Sequence, residues 1–217
     1  STQMAVNNYY GAKFLKDMGF SRVVLARETP IFEIEKIKEL EIDVETFIHG
    51  ALCVSYSGQC LMSSMIGGKS GNRGECAQAC RRSYEIVDFD GKKLANRLYY
   101  LSPKDLNTLD DVAKIINAGA YSLKIEGRMK NPEYVYTVVS SYKKSLEGKL
   151  KVEDREDTVQ VFNRGFTKGL FNGDFGRDFT SYDRPDNRGI VIGRVLEVGK
   201  NSVKIIFDQD IYEGDGL

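Results

Sequence analysis

A chain of 217 residues, 41% apolar, 29% charged and 11% aromatic, has room for one domain and a fraction at about 150 residues per domain. Twelve Tyr and eleven Phe exclude disorder, and scattered glycine with broken periodicity excludes collagen and coiled coil. No apolar run approaches the about 18 residues of a membrane span, and 31 basic against 31 acidic side chains leave no net charge to attract polyanions globally.

The chain opens Ser1-Thr-Gln-Met, without an initiator Met or a signal-like segment, and stops at Asp215-Gly-Leu217, so it reads as an internal piece of a longer protein. Ser1 to Gln3 reads as the mouth of a strand. Ala5 to Met18 has helical spacing and closes at Gly19. Arg22 to Ala26 is a short apolar run, as expected of a strand covered on both faces. Pro30 starts a helix carrying Ile31, Ile34, Ile37 and Leu40, and Asp43 to His49 alternates as a strand. Leu98 to Leu101 reads as another strand, followed by a helix from about Asp105 to Asn117. Tyr121 to Ile125 is a strand again, and Pro132 opens a helix running to about Leu146. Strand and helix alternate with short links, which predicts parallel β/α units.

After Gly148 the pattern changes. Lys151 to Asp157 reads as a charged link, and Arg188 to Val198 with Ser202 to Phe207 reads as a β-hairpin turning at Gly199 to Asn201. A boundary is placed near residue 150, giving a portion 1–150 with an insertion at 50–97, and a truncated β-rich domain at 151–217. Charge is polarised along the chain: seven acids against two lysines lie between Glu28 and Glu45, and eight bases against four acids between Lys69 and Lys104. The basic stretch is either a solvated loop or an anion-binding insertion.

All four cysteines, Cys53, Cys60, Cys76 and Cys80, fall within 28 residues, with six glycines in and beside them. A disulfide pair needs an oxidising compartment, to which nothing in the chain points. Structural zinc favours short knuckles, and only Cys76-x3-Cys80 offers one. An iron–sulfur cluster tolerates irregular spacing because glycine loops can wrap it. Spacing alone leaves zinc and cluster level.

The run Glu45-Thr-Phe-Ile-His-Gly-Ala-Leu-Cys53-Val-Ser-Tyr-Ser-Gly-Gln-Cys60-Leu-Met-Ser63 resembles the signature of the U32 peptidase, or collagenase-like, family. Leu25-Ala-Arg-Glu28, Leu101-Ser-Pro-Lys-Asp105, Lys124-Ile-Glu-Gly-Arg128 and Phe162-Asn-Arg-Gly-Phe-Thr167 are similar too. The resemblance covers nearly the whole chain and implies an α/β protein, the C-terminal half of a TIM-type (β/α) barrel followed by a small antiparallel β-domain. It also implies a [4Fe–4S] cluster on Cys53, Cys60, Cys76 and Cys80, with zinc the alternative. Branches of the family hydroxylate RNA or ubiquinone precursors without molecular oxygen, and the tRNA branch is the nearest in feel.

Within such a barrel, Asp43, Glu45, Phe47 and His49 face inward, and catalytic groups sit at the C-terminal strand ends. His49, Glu45 and Glu126 are the catalytic candidates, with His49 alternatively a structural imidazole bonded to Glu45 or backbone. Lys124 and Glu126 are either an internal ion pair or part of the mouth. Arg27, Glu28, Lys104 and Arg128 line that mouth as a small-anion site, prephenate or a similar dicarboxylate being implied by the resemblance. Arg81 and Arg82 are assigned to RNA phosphates.

One histidine and no HExxH leave poor machinery for a metalloprotease. Three readings follow: oxygen-independent hydroxylation of a nucleobase, most of all tRNA uridine; a peptidase acting on collagen-like chains; and a non-enzymatic, cluster-bearing subunit with a homologous partner. A cytoplasmic setting is expected.

Overall fold

In the computed structural model the described residues are 2–172 and 177–213, so Ser1 of the expected strand mouth lies outside them. Thr2–Met4 is a 3-10 turn, not a strand. Helix α1 spans Tyr9–Asp17, and Asn8 caps it by accepting from the Gly11 N–H at 3.0 Å. Strand β1 is Arg22–Val24, α2 is Ile31–Lys38 and β2 is Asp43–Ala51. The cysteine segment then carries α3 (Met62–Gly67), two 3-10 turns (Gly71–Arg73 and Ala79–Arg81) and a hairpin of β3 (Tyr84–Val87) and β4 (Lys93–Leu98). Strand β5 (Asp105–Asn107), α4 (Val112–Ala118), β6 (Ala120–Ile125), α5 (Pro132–Leu146), α6 (Val152–Val161) and β7 (Phe166–Thr167) follow. A 3-10 turn at Arg177–Phe179 precedes the hairpin of β8 (Gly193–Val198) and β9 (Val203–Phe207).

Strand β2 is the hub of the sheet. It pairs parallel with β1 (Val24↔Glu45) and with β6 (Phe47↔Lys124), and antiparallel with β5 through Gly50↔Leu106. Strand β7 then adds parallel to β5. The described residues thus form an open mixed sheet; they show no closed barrel, and β5 breaks the all-parallel pattern of one.

The helices pack side by side in the order α1, α2, α4, α5, α6. Their apolar stripes meet Val44 and Ile48 of β2 in a core that includes Ile34, Ile37, Ile115 and Val138. Asn131 caps α5 and Pro132 occupies its first turn, so the helix begins where the chain chemistry dictates. Its residues Tyr134, Val138, Ser141 and Tyr142 are buried at helical spacing.

Three further expectations fail. Tyr99–Leu101 is a turn tied to Tyr182 through the Tyr99 N–H, so the strand ends at Leu98. Asp105 starts a strand, and the helix forms only from Val112. The charged link is helix α6, whose start is fixed by Asp154 accepting the Lys151 N–H at 2.9 Å, and which packs on α5.

Candidate functional site

The functional side chains gather around the C-terminal ends of β1, β2 and β6 and the start of the antiparallel β5, with Glu45 lower on β2. Period two along β2 sends Val44 into the helix layer and Glu45 and Phe47 to the other face, where β6 presents Ser122 and Lys124. Glu45 accepts from Lys124 Nζ and Ser122 Oγ, both at 3.0 Å. Burial opposes ionisation of Glu45, but these partners outweigh it and hold the carboxyl below its ordinary value. The Phe47 ring lies between two cations, Arg27 at 4.3 Å and Lys124 at 5.4 Å. Arg27 in turn bonds Glu126 at 3.2 Å, so the alternative Lys124–Glu126 pair is replaced by two crossed pairs, Lys124–Glu45 and Arg27–Glu126.

Glu28 is fully engaged: its two oxygens take the N–H and the hydroxyl of Ser57, each at 2.8 Å, which pins the cysteine segment to the end of β1. Gly50, near the end of β2 and paired with Leu106, has φ +106°. A Cβ there would lie 2.6 Å from the Glu126 carbonyl oxygen, so only glycine fits. Beyond it, Arg27, Glu28, Leu52, Cys53, Tyr56 and Phe179 line a cavity of about 270 Å³.

All four cysteines are free thiols. They lie near enough to act on one another electrostatically: Cys80 senses Cys53, Cys76 and Cys60, and Cys53 senses Cys60 and Cys76. Burial pushes the Cys53 thiol up, with the Ser55 backbone N–H and Arg27 opposing. Burial also raises Cys80, with Arg81 opposing. The Gln78 N–H reaches Cys76 Sγ at 3.4 Å. Among the described residues no three His, Cys, Asp or Glu side chains are disposed to hold a single metal ion.

The two adjacent arginines have different roles. Arg81 donates to Leu52 O and Ser102 Oγ at 2.9 Å and to Pro103 O, joining the start of the cysteine segment to the chain just past its end. Arg82 is exposed. Arg128 is exposed too, with its guanidinium against Gly74 of the cysteine segment, and the stem of Lys104 lies against Gly165.

His49 is a core residue, 1% exposed, enclosed by Tyr134, Tyr142 and Phe166. Its Nδ1 meets Tyr142 Oη at 3.3 Å and its Nε2 has no partner; it does not touch Glu45. Burial, aided by Lys130, pulls its pKa down to about 4. This placement is that of the structural imidazole, with Tyr142 and not Glu45 as its partner.

Two features escaped the sequence. Asp105 and Arg164 form a buried pair, with Nη1 to Oδ1 at 2.9 Å and the Arg164 N–H to Oδ2 at 3.1 Å. Their sequence signals were the Leu101 to Asp105 and Phe162 to Thr167 phrases, neither of which pointed to the other as a partner. Lys130 lies over the rings of Tyr134 and Phe162. Burial lowers its pKa to about 8, with Arg164 and Arg81 adding to the effect and Asp105 opposing it.

Comparison with known proteins places this arrangement. Residues 1–180 match the family model described as Peptidase family U32. The chain is 36% identical, over its full length and 35% of the relative, to the 23S rRNA 5-hydroxycytidine C2501 synthase of Escherichia coli (strain K12). It is 44% identical, over 68% of itself and 36% of the relative, to tRNA hydroxylation protein P1 of Bacillus subtilis (strain 168). It is also 37% identical, over 80% of itself and 47% of the relative, to a collagenase of Porphyromonas gingivalis. The chain therefore spans about a third to a half of these relatives. No solved structure matches.

Proposed function

Because the chain belongs to peptidase family U32, we propose that it is the substrate-facing part of an enzyme hydroxylating a nucleobase in RNA, tRNA uridine first. The observation that carries this reading is the set of four free thiols on the segment that follows β2, with Cys53 in the wall of the same cavity as Arg27. Two of the relatives named above are RNA hydroxylation proteins by name. The rest of the protein would complete a β/α barrel around the open sheet.

Cys53, Cys60, Cys76 and Cys80 would hold a [4Fe–4S] cluster. Zinc at about 2.3 Å from each sulfur would draw the thiolates around one point. Their irregular spacing on glycine-rich loops, with Gly71 and Gly74 just before Cys76, suits the wider cluster, which such loops can wrap. Such a cluster supplies one-electron chemistry, and N–H donors to its sulfurs tune the potential. Arg27, stacked on Phe47 and steered by Glu126, would meet a small anionic co-substrate such as prephenate. Arg82, Arg73 and Lys69, all exposed on the cysteine segment, would meet RNA phosphates.

The test is mass spectrometry of nucleosides from cells lacking the full-length protein. Loss of a hydroxylated pyrimidine, restored by the wild-type gene and not by Cys53→Ala, is expected; unchanged nucleosides sink the reading. Anaerobically purified protein should be brown and carry iron, whereas stoichiometric zinc in a colourless protein would refute the cluster. The peptidase alternative lacks a Cys–His pair, since His49 is sealed among aromatic rings, and gelatin should stay intact.

A further inference from the structure

An enzyme that works on a base must take it out of its stack and offer another surface for its ring. A flat aromatic side chain supplies that surface regardless of which base arrives. The cavity beside Cys53 has about 270 Å³, just under the about 300–1,000 Å³ of drug-sized ligand sites, so it suits one heterocycle and not a longer stretch of chain. Tyr56 stands in its wall and is 65% exposed, whereas Tyr134 and Tyr142 are spent on the core.

The backbone that carries Tyr56 is anchored from three sides. Glu28 holds Ser57 by two hydrogen bonds at 2.8 Å. Asn72 Nδ2 donates to the Gly58 carbonyl at 2.7 Å. Gly58, at φ +75°, packs so tightly on Gln3 that a Cβ would lie 2.8 Å from its carbonyl oxygen. An exposed ring on a held loop is a preorganised contact, because little freedom remains to be lost on binding. Cys53, three positions earlier, lines the same cavity.

We propose that Tyr56 is the platform on which the target base stacks in this cavity, with its edge toward Cys53. The assignment rests on the RNA reading above and adds the residue that receives the base. Phosphate contacts on the cysteine segment would hold the strand, and Tyr56 would hold the ring.

The experiment uses full-length protein and a single-stranded RNA oligonucleotide carrying one 2-aminopurine. Wild type and Tyr56→Phe should quench its fluorescence on binding, and Tyr56→Trp should bind as well as either. Tyr56→Ala should lose the quenching and weaken binding about 5- to 150-fold, the span of base–aromatic stacking. It should keep the slope of affinity against salt and the metal content of wild type, which separates a missing platform from a misfolded segment. Equal quenching and affinity in Tyr56→Ala overturn the proposal. Unchanged hydroxylated nucleosides in cells carrying only Tyr56→Ala overturn it too, while leaving RNA hydroxylation standing. If deleting the whole gene changes no nucleoside yet quenching still depends on Tyr56, hydroxylation falls and the base platform stands.

Discussion

Asp105 is 3% exposed and its partner Arg164 sits over the Phe162 ring at 4.8 Å, so the pair is screened little by water. Removing one member of such a pair strands the other charge, at a cost of about 3–5 kcal/mol. Asp105→Ala should lower the urea midpoint accordingly; the double replacement of Asp105 and Arg164 by apolar residues should recover much of the loss. His49 makes a prediction about pH. Its folded pKa of about 4 lies below the ordinary value of 6.5, so below pH 6.5 the unfolded chain binds a proton that the folded chain refuses. Its contribution is therefore fully present above pH 6.5 and is lost as pH falls toward 4, about 3 kcal/mol in all. Urea midpoints measured from pH 7.5 to 4 should fall less steeply in His49→Phe than in wild type.

At the scale of elements, the cysteine segment is attached to the sheet by few points, and they are strict. Gly50→Ala should cost about 1–3 kcal/mol, read as a lowered melting temperature, because its Cβ would meet the Glu126 backbone at a positive φ. Arg81→Ala removes bonds to Leu52, Ser102 and Pro103 and should cost about 2–3 kcal/mol, with protease cutting inside 53–98 as the readout. Where breakers and periodicity agreed, elements were legible: Pro132 and Gly148 bracket α5, and β2 was read from its alternation. Leu106, Leu109 and Val112 misled because their spacing of three imitates a helix, while pairing with β2 and Arg164 holds Asp105 to Asn107 extended. Helix α6 was hidden by its charges. The thiols and the Arg27–Glu126 rim were visible through a contiguous motif and strand ends. The Asp105–Arg164 and Lys124–Glu45 pairs were not, since their members are 59 and 79 residues apart and no local pattern joins them.

On the scale of the whole molecule, zero net charge conceals a division between an acidic first helix layer and a basic cysteine segment. Replacing Lys69, Arg73 and Arg82 together should weaken RNA binding and reduce the log–log salt slope by about 0.7–0.9 for each phosphate left without its cation, measured by filter binding. Arg81 belongs to the tether and not to that surface. The pairing of β2 has a consequence in time. Its partners in β6 emerge 77 to 79 residues after Glu45, so at about 5–20 residues per second the ribosome keeps β2 waiting about 4–15 s for them. At the start of that interval Val44 and Ile48 have only α1, β1 and α2 to shelter them, and the cysteines emerge before β6 completes the pairing of β2. For those seconds the apolar face of β2 and the thiols of the cysteine segment stand more open to solvent and oxidants than in the finished fold.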